Sequence, residues 1–181
     1  MQGKHGSKYL LWMDLEMTGL DPDMDEIIEV ATVVTNWDLE VIAEGPEIVI
    51  SQPADRFAQM DKWNQTHHRK SGLWDKVQSS NVTISEAEER TLAFIRKFFG
   101  PQEGILAGNS IWQDRRFLAR SMKKIDQYLN YRMVDVSTLK ILAQNWFSEV
   151  KFIKKGTHRA LDDIRESVHE LKYYRDKILV K

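Results

Sequence analysis

Cysteine is absent from all 181 residues. That excludes disulfides, thiolate nucleophiles and zinc–thiolate centres, and it fits a cytoplasmic location. No apolar run approaches the roughly 20 residues that a membrane helix needs. The opening Met1-Gln2-Gly3-Lys4-His5-Gly6-Ser7 has no apolar core and does not read as a secretory signal. Residues 1–7 read as a flexible tail or an expression remnant. An excess of positive charge is missing too: 26 Lys and Arg stand against 27 Asp and Glu, for a net charge of −1. Proteins that track long nucleic acid usually carry a strong positive excess. If the substrate is nucleic acid, this balance favours a short one, gripped locally. There is no linker, internal repeat or low-complexity tract, so residues 8–181 read as one domain with room for a sizeable core.

The most informative stretch is Tyr9-Leu10-Leu11-Trp12-Met13-Asp14-Leu15-Glu16-Met17. As a strand it alternates faces. Leu10, Trp12, Asp14 and Glu16 point one way; Tyr9, Leu11, Met13 and Leu15 point the other. Both faces are apolar until Asp14, the pattern of a central buried strand. Burying two acids side by side costs on the order of several kcal/mol per charge unless something compensates. A divalent cation with oxygen ligands is the common compensation. Alone, Asp-x-Glu is a weak signal, because a solvated strand end looks the same.

The β-branched run Ile27 to Thr35 predicts a second strand, and Val41 to Ile50 a third, broken near Gly45-Pro46. Pro53 to Met60 and Ser71 to Val77 read as short helices, while Trp63 to His68 shows no clear period. Ser85 and Glu88 fit a capping box ahead of the helical repeat Leu92, Ile95, Phe98, Phe99. Short strands are expected at Ile105–Ala107 and Arg132–Asp135, and helices at about Gln113–Lys124, from Ser137, and from near Arg159. Phe147 to Gly156 reads as a loop. The fold class is α/β, with a five-stranded mixed sheet of an antiparallel meander plus two parallel strands, flanked by helices.

Two further acids stand in suspicious places. Asp114 lies on the inward stripe of its helix with Phe117, Leu118 and Ser121. Asp163 lies in the first turn of the last helix, five residues after His158. Carboxylates that hold two cations about 3.5–4 Å apart support two-metal phosphodiester hydrolysis. A neutral histidine, with an ordinary pKa of about 6.5, can take the proton from the attacking water. Each residue also has an ordinary explanation: Asp163 as a first-turn acid, His158 as a capping contact, Asp114 as the partner of an arginine.

Asp14-x-Glu16, Asn109-x-x-x-x-Asp114 and His158-Arg159-Ala160-Leu161-Asp162-Asp163 together resemble, in order and spacing, the three motifs of the DEDDh family of 3′–5′ exonucleases. In the family's tyrosine branch a Tyr would stand at the position of Arg159, so the resemblance is to the histidine branch. It implies an RNase H-like fold over nearly the whole chain. The segments Trp12–Asp21, Gly108–Leu118, Tyr131–Lys140 and Gly156–Ser167 further resemble the oligoribonucleases within that family. That likeness implies a homodimer that degrades very short RNA, chiefly dinucleotides, to 5′-mononucleotides with two divalent ions, Mg²⁺ or Mn²⁺, and without a membrane.

By the same resemblance, Asp14, Glu16 and Asp163 hold one metal. Asp14 bridges to a second, which Asp114 supports through water, and His158 is the general base. Leu20 and Trp63 become apolar platforms for bases. Ser110 and Ser137, with Tyr131 and Arg132 from the partner subunit, cap the substrate's 5′-phosphate. His67 or His68 touches the scissile phosphate, with His68 carried as the candidate. The rivals are an exonuclease of this family that trims long strands and a non-catalytic module that binds short oligonucleotides.

Overall fold

The computed structural model describes residues 7–147, 149–153 and 159–179. Its frame is one mixed six-stranded sheet in the order β3-β2-β1-β5-β6, with β4 also paired to β2. At its centre β1 (Tyr9–Met17) pairs antiparallel with β2 (Ile27–Asn36) from Tyr9↔Asn36 to Met17↔Ile27. On its other edge β1 runs parallel to β5 (Leu106–Gly108), which runs parallel to β6 (Met133–Asp135). This is the expected meander followed by two parallel strands.

The break at Gly45-Pro46 divides the third strand into β3 (Val41–Glu44) and β4 (Ile48–Val49), both antiparallel to β2. Proline has no N–H for a ladder, so the pairing resumes beyond it.

The alternation of β1 builds two cores. Leu11, Met13 and Leu15 pack with Leu92, Ile95, Ile111, Phe117 and Ile125. Those residues come from α4 (Ile84–Ile95), α5 (Ile111–Ser121) and α6 (Lys123–Tyr128). Leu10 and Trp12 pack on the opposite face with Ala143, Ile164, Val168, Leu171 and Tyr174. Those come from α7 (Val136–Trp146) and α8 (Ala160–Lys177). Leu11 and Trp12 are fully buried, and each such side chain contributes about 1.5–3 kcal/mol. Asp14 and Glu16 share the face of Leu10 and Trp12, so they emerge under α8.

Several local expectations are corrected. Lys62–Lys70 is a helix, α2, capped by Asp61, whose side chain accepts from the N–H of Asn64. It follows α1 (Arg56–Gln59) and precedes α3 (Leu73–Ser79). The capping box of α4 is Thr83 with Glu86, not Ser85 with Glu88. Glu88 is buried and accepts from the N–H groups of Lys124 and Ile125 at 2.6 and 3.3 Å. It therefore caps α6, and the single helix expected over Gln113–Lys124 becomes two. Met122 sits between them at φ −128, ψ 59. Ser7 does not belong to a free tail: it is buried, and its carbonyl accepts from Trp37 Nε1 at 3.0 Å. No described helix is long and apolar enough to cross a membrane.

Glu88→Ala removes the acceptor of two backbone donors, so it should destabilise the fold by about 1–3 kcal/mol. Urea denaturation monitored by circular dichroism measures this; an unchanged midpoint would mean that α6 does not depend on Glu88.

Candidate active site

β1 brings Asp14 and Glu16 to its end, and the first turn of α8 brings Asp163 to meet them. One carboxylate oxygen from each lies within 4.8 Å of the others. All three residues are partly buried. The apolar stripe of α8, with Ile164 and Val168 against Leu10 and Trp12, seats the helix on the sheet face that carries both strand acids.

The electrostatics follow from burial and like charge. Glu16 is pushed up from 4.5 to about 8, first by desolvation, then by Asp163, Glu29 and Asp114, while Arg159 acts against the rise. Such a site gathers several acceptor oxygens at close quarters. That donor set fits a hard divalent cation, which would favour the ionised carboxylates.

Asp114 does not join the three-carboxylate group. It is buried on α5, as its helical stripe predicts, but its partner is not an arginine: its Oδ1 accepts from the N–H of Leu15 at 2.9 Å. The side chain thus fills a gap beyond the short β1–β5 ladder. Burial raises its pKa from 3.8 to about 7, against the Leu15 hydrogen bond. His158 lies outside the described residues.

The remaining candidates fall into three groups. Leu20 and Trp63 are exposed, at 70% and 59%. Trp63 stacks on His67 with ring centroids 3.8 Å apart. The Leu20 carbonyl accepts from Gln113 Nε2 at 2.6 Å, which ties the loop after β1 to α5. His68 is buried, and its Nε2 donates to the Met17 carbonyl at 2.9 Å. Burial lowers its pKa, so it is held neutral at the foot of β1.

Ser110 and Ser137 meet: their hydroxyls are 3.2 Å apart, and the N–H of Ser110 donates to Ser137 Oγ at 2.9 Å. Asp135, which was not anticipated, ties them by accepting from both backbone N–H groups at 2.9 Å. Its sequence signal was the N-cap pattern Asp135-x-Ser137 at the start of α7. Ser110 takes up φ 51, a left-handed conformation unusual for a residue with a Cβ. Tyr131 is exposed and carries the Arg132 guanidinium over its ring at 4.5 Å.

The exonuclease (RNase T) family model matches residues 11–171. The oligoribonuclease of Francisella tularensis subsp. tularensis is 53% identical over 170 residues, covering 94% of this chain and 96% of that protein. The oligoribonuclease of Coxiella burnetii is 51% identical over 172 residues, covering 94% of each. The chain belongs to the oligoribonuclease family of exonucleases.

Solved structures agree on the fold. E. coli Exonuclease I in complex with a dA16 oligonucleotide superposes with TM-score 0.73 at 12% identity, over 95% of this chain and 42% of that one. A zinc-bound form of the E. coli ExoI–ssDNA complex gives 0.69 at 14% identity, over 96% and 41%. The chain thus spans about two fifths of those structures, and the likeness is one of RNase H-like fold. As a member of this family the chain is a nuclease, a phosphodiester hydrolase, and its carboxylate cluster suits divalent metal.

The raised pKa of Glu16 has a stability consequence. The folded state binds the Glu16 proton more tightly than the unfolded state does. Without metal, stability should therefore fall as pH rises through the window from 4.5 to about 8. Asp114 acts in the same sense from 3.8 to about 7. Thermal melts in EDTA at pH 5.5, 6.5 and 8 test this, with Glu16→Gln expected to flatten part of the slope. A melting temperature that rises across this range in EDTA would overturn it.

Proposed function

We propose that this protein is a 3′–5′ exoribonuclease that hydrolyses very short RNA, chiefly dinucleotides, to 5′-mononucleotides, and that it acts as a homodimer with two divalent ions. The observation that carries the reading is the convergence of Asp14, Glu16 and Asp163 to within 4.8 Å, in a chain about half identical to oligoribonucleases along nearly its whole length.

Asp14, Glu16 and Asp163 are the residues that would hold metal, with Asp114 supporting a second ion through water. Bound divalent ions supply Lewis-acid polarisation of the phosphodiester and make water a usable nucleophile at neutral pH. His158 takes the proton of the attacking water, which asks for a neutral imidazole near pH 7. Leu20 and Trp63 are exposed apolar surfaces on which bases can stack. Such stacking contributes about 1–3 kcal/mol per base and tolerates any sequence.

The paired Ser110 and Ser137 hydroxyls receive the terminal 5′-phosphate. Arg132 of the partner subunit closes over it with a forked donor that matches phosphate oxygens, and Tyr131 accompanies it. A closed phosphate pocket excludes longer strands, because an internal phosphodiester continues into the space the cap occupies. His68 contributes by bracing the end of β1 through Met17. The exposed Trp112, Tyr131, Ile141 and Trp146, at 52%, 69%, 59% and 66%, supply apolar surface for the second subunit.

The test is a product time course on a 5′-phosphorylated diribonucleotide and on a 20-nucleotide RNA, each with Mn²⁺ and with EDTA. Metal-dependent dinucleotide cleavage with a sluggish 20-mer is expected. Fast processing of the 20-mer with little dinucleotide turnover would replace the substrate class, and no cleavage of either would favour a binding module. Asp163→Ala should abolish hydrolysis in a folded protein. Arg132→Ala should slow the dinucleotide more than the long strand; equal losses would count against the cap.

A further inference from the structure

The helix that carries Asp163 does not cap itself. Its N-cap residue, Arg159, is extended at φ −133, ψ 128 and makes no side-chain cap hydrogen bond. The N–H of Ala160, at the head of α8, instead donates to Glu29 Oε2 at 3.2 Å. Glu29 belongs to β2. It also accepts from Arg159 Nε at 3.2 Å and from Nη2 at 2.6 Å. Its side chain is fully buried, and that of Arg159 is 18% exposed. Arg159 is held a second time by Glu47, at the rim.

Two further facts connect this pair to the carboxylate cluster. Glu29 stands opposite Glu16 in the β1–β2 register. The N–H of Asp163 donates to the Arg159 carbonyl at 2.9 Å, so Asp163 lies one turn beyond the anchored residue. One antiparallel strand pair thus presents Glu16 from one strand and the anchor of α8 from the other. The apolar stripe of α8, Ile164, Val168, Leu171 and Tyr174, packs the helix on the sheet. What the pair adds is the placement of the first turn.

We propose that the buried Glu29–Arg159 pair is a positioning device: it caps α8 from across the sheet and sets Asp163 beside Asp14 and Glu16. The inference rests on reading those three acids as metal ligands. Hydrogen-bonded outer partners of ligating groups typically affect metal affinity 10–100-fold when removed.

The experiment is Mn²⁺ titration of the full chain, read by the electron paramagnetic resonance of free Mn²⁺, with melts in EDTA to confirm folding. Arg159→Lys keeps the charge and removes the planar fork. It should fold and bind Mn²⁺ roughly 10–100-fold more weakly. Arg159→Gln separates placement from charge. The Arg159 charge acts on Glu16 and opposes a cation there, so a purely electrostatic role predicts tighter binding in this variant, whereas placement predicts weaker.

Glu44→Gln, which breaks the more exposed Glu44–Arg165 pair farther along the same helix, should leave the affinity unchanged. Folded Arg159 variants with wild-type or tighter affinity overturn the proposal. So does loss of folding in both, because the pair would then support the whole helix and not its first turn. If wild type and Asp163→Asn bind Mn²⁺ equally, the metal reading itself fails.

Discussion

Three carboxylates held with oxygens within 4.8 Å of one another repel, and burial worsens the repulsion. Neither a strand end nor a helix end would adopt that arrangement alone. It exists because the apolar packing beneath it is large enough to impose it. Leu10 and Trp12 on β1 and Ile164 and Val168 on α8 lock the two elements together just below the acids. The raised pKa of Glu16 has the same cause, burial among like charges. A functional site is where such local conflict is expected, and the surrounding core is what sustains it.

The rest of the structure serves that junction from two sides. On the far face of the sheet, α5 packs through Phe117 and Leu118 and inserts Asp114 against the backbone of Leu15, between the two strand acids in sequence. On the near face, Glu29 anchors the head of α8 through Arg159 and Ala160. His68 secures the end of β1 through Met17, and Gln113 holds the loop after it through Leu20. Each contact gives a backbone N–H or carbonyl its partner. These groups are spread over the chain from Glu29 to Arg159, yet they brace the two element ends that carry the acids, the end of β1 and the head of α8.

Much of this was legible before any coordinates. The strand alternation of Leu10, Trp12, Asp14 and Glu16 assigned both acids to one face, and the i, i+3, i+4 spacing of Asp114, Phe117 and Leu118 turned Asp114 inward. The break at Gly45-Pro46 was visible because proline cannot donate to a ladder. Other features were not. Thr83-x-x-Glu86 and Ser85-x-x-Glu88 fit the same capping pattern, and only the need of α6 for an acceptor separates Glu88 from Glu86. The α2 helix escaped because its residues are nearly all polar, with only Asn64 and His68 buried. Its one local signal was Asp61 at the N-cap. The buried His68 could not be read from its surroundings in sequence, because the carbonyl it serves is 51 residues away.

Periodicity and motif spacing are local, and they carried what local information can carry: the elements, their buried faces, the α/β class and the family's chemical signature. Register and docking are not local. Whether Asp163 or its neighbour Asp162 meets the strand acids depends on the rotation of α8 about its axis, which its apolar stripe and the Glu29–Arg159 anchor fix together. That Asp114 bonds backbone while Asp14, Glu16 and Asp163 face one another follows from which sheet face each helix covers. The reason is physical: a side chain's identity states what chemistry it can do, but distances between charges on separate elements are set by the packing of the apolar residues between them.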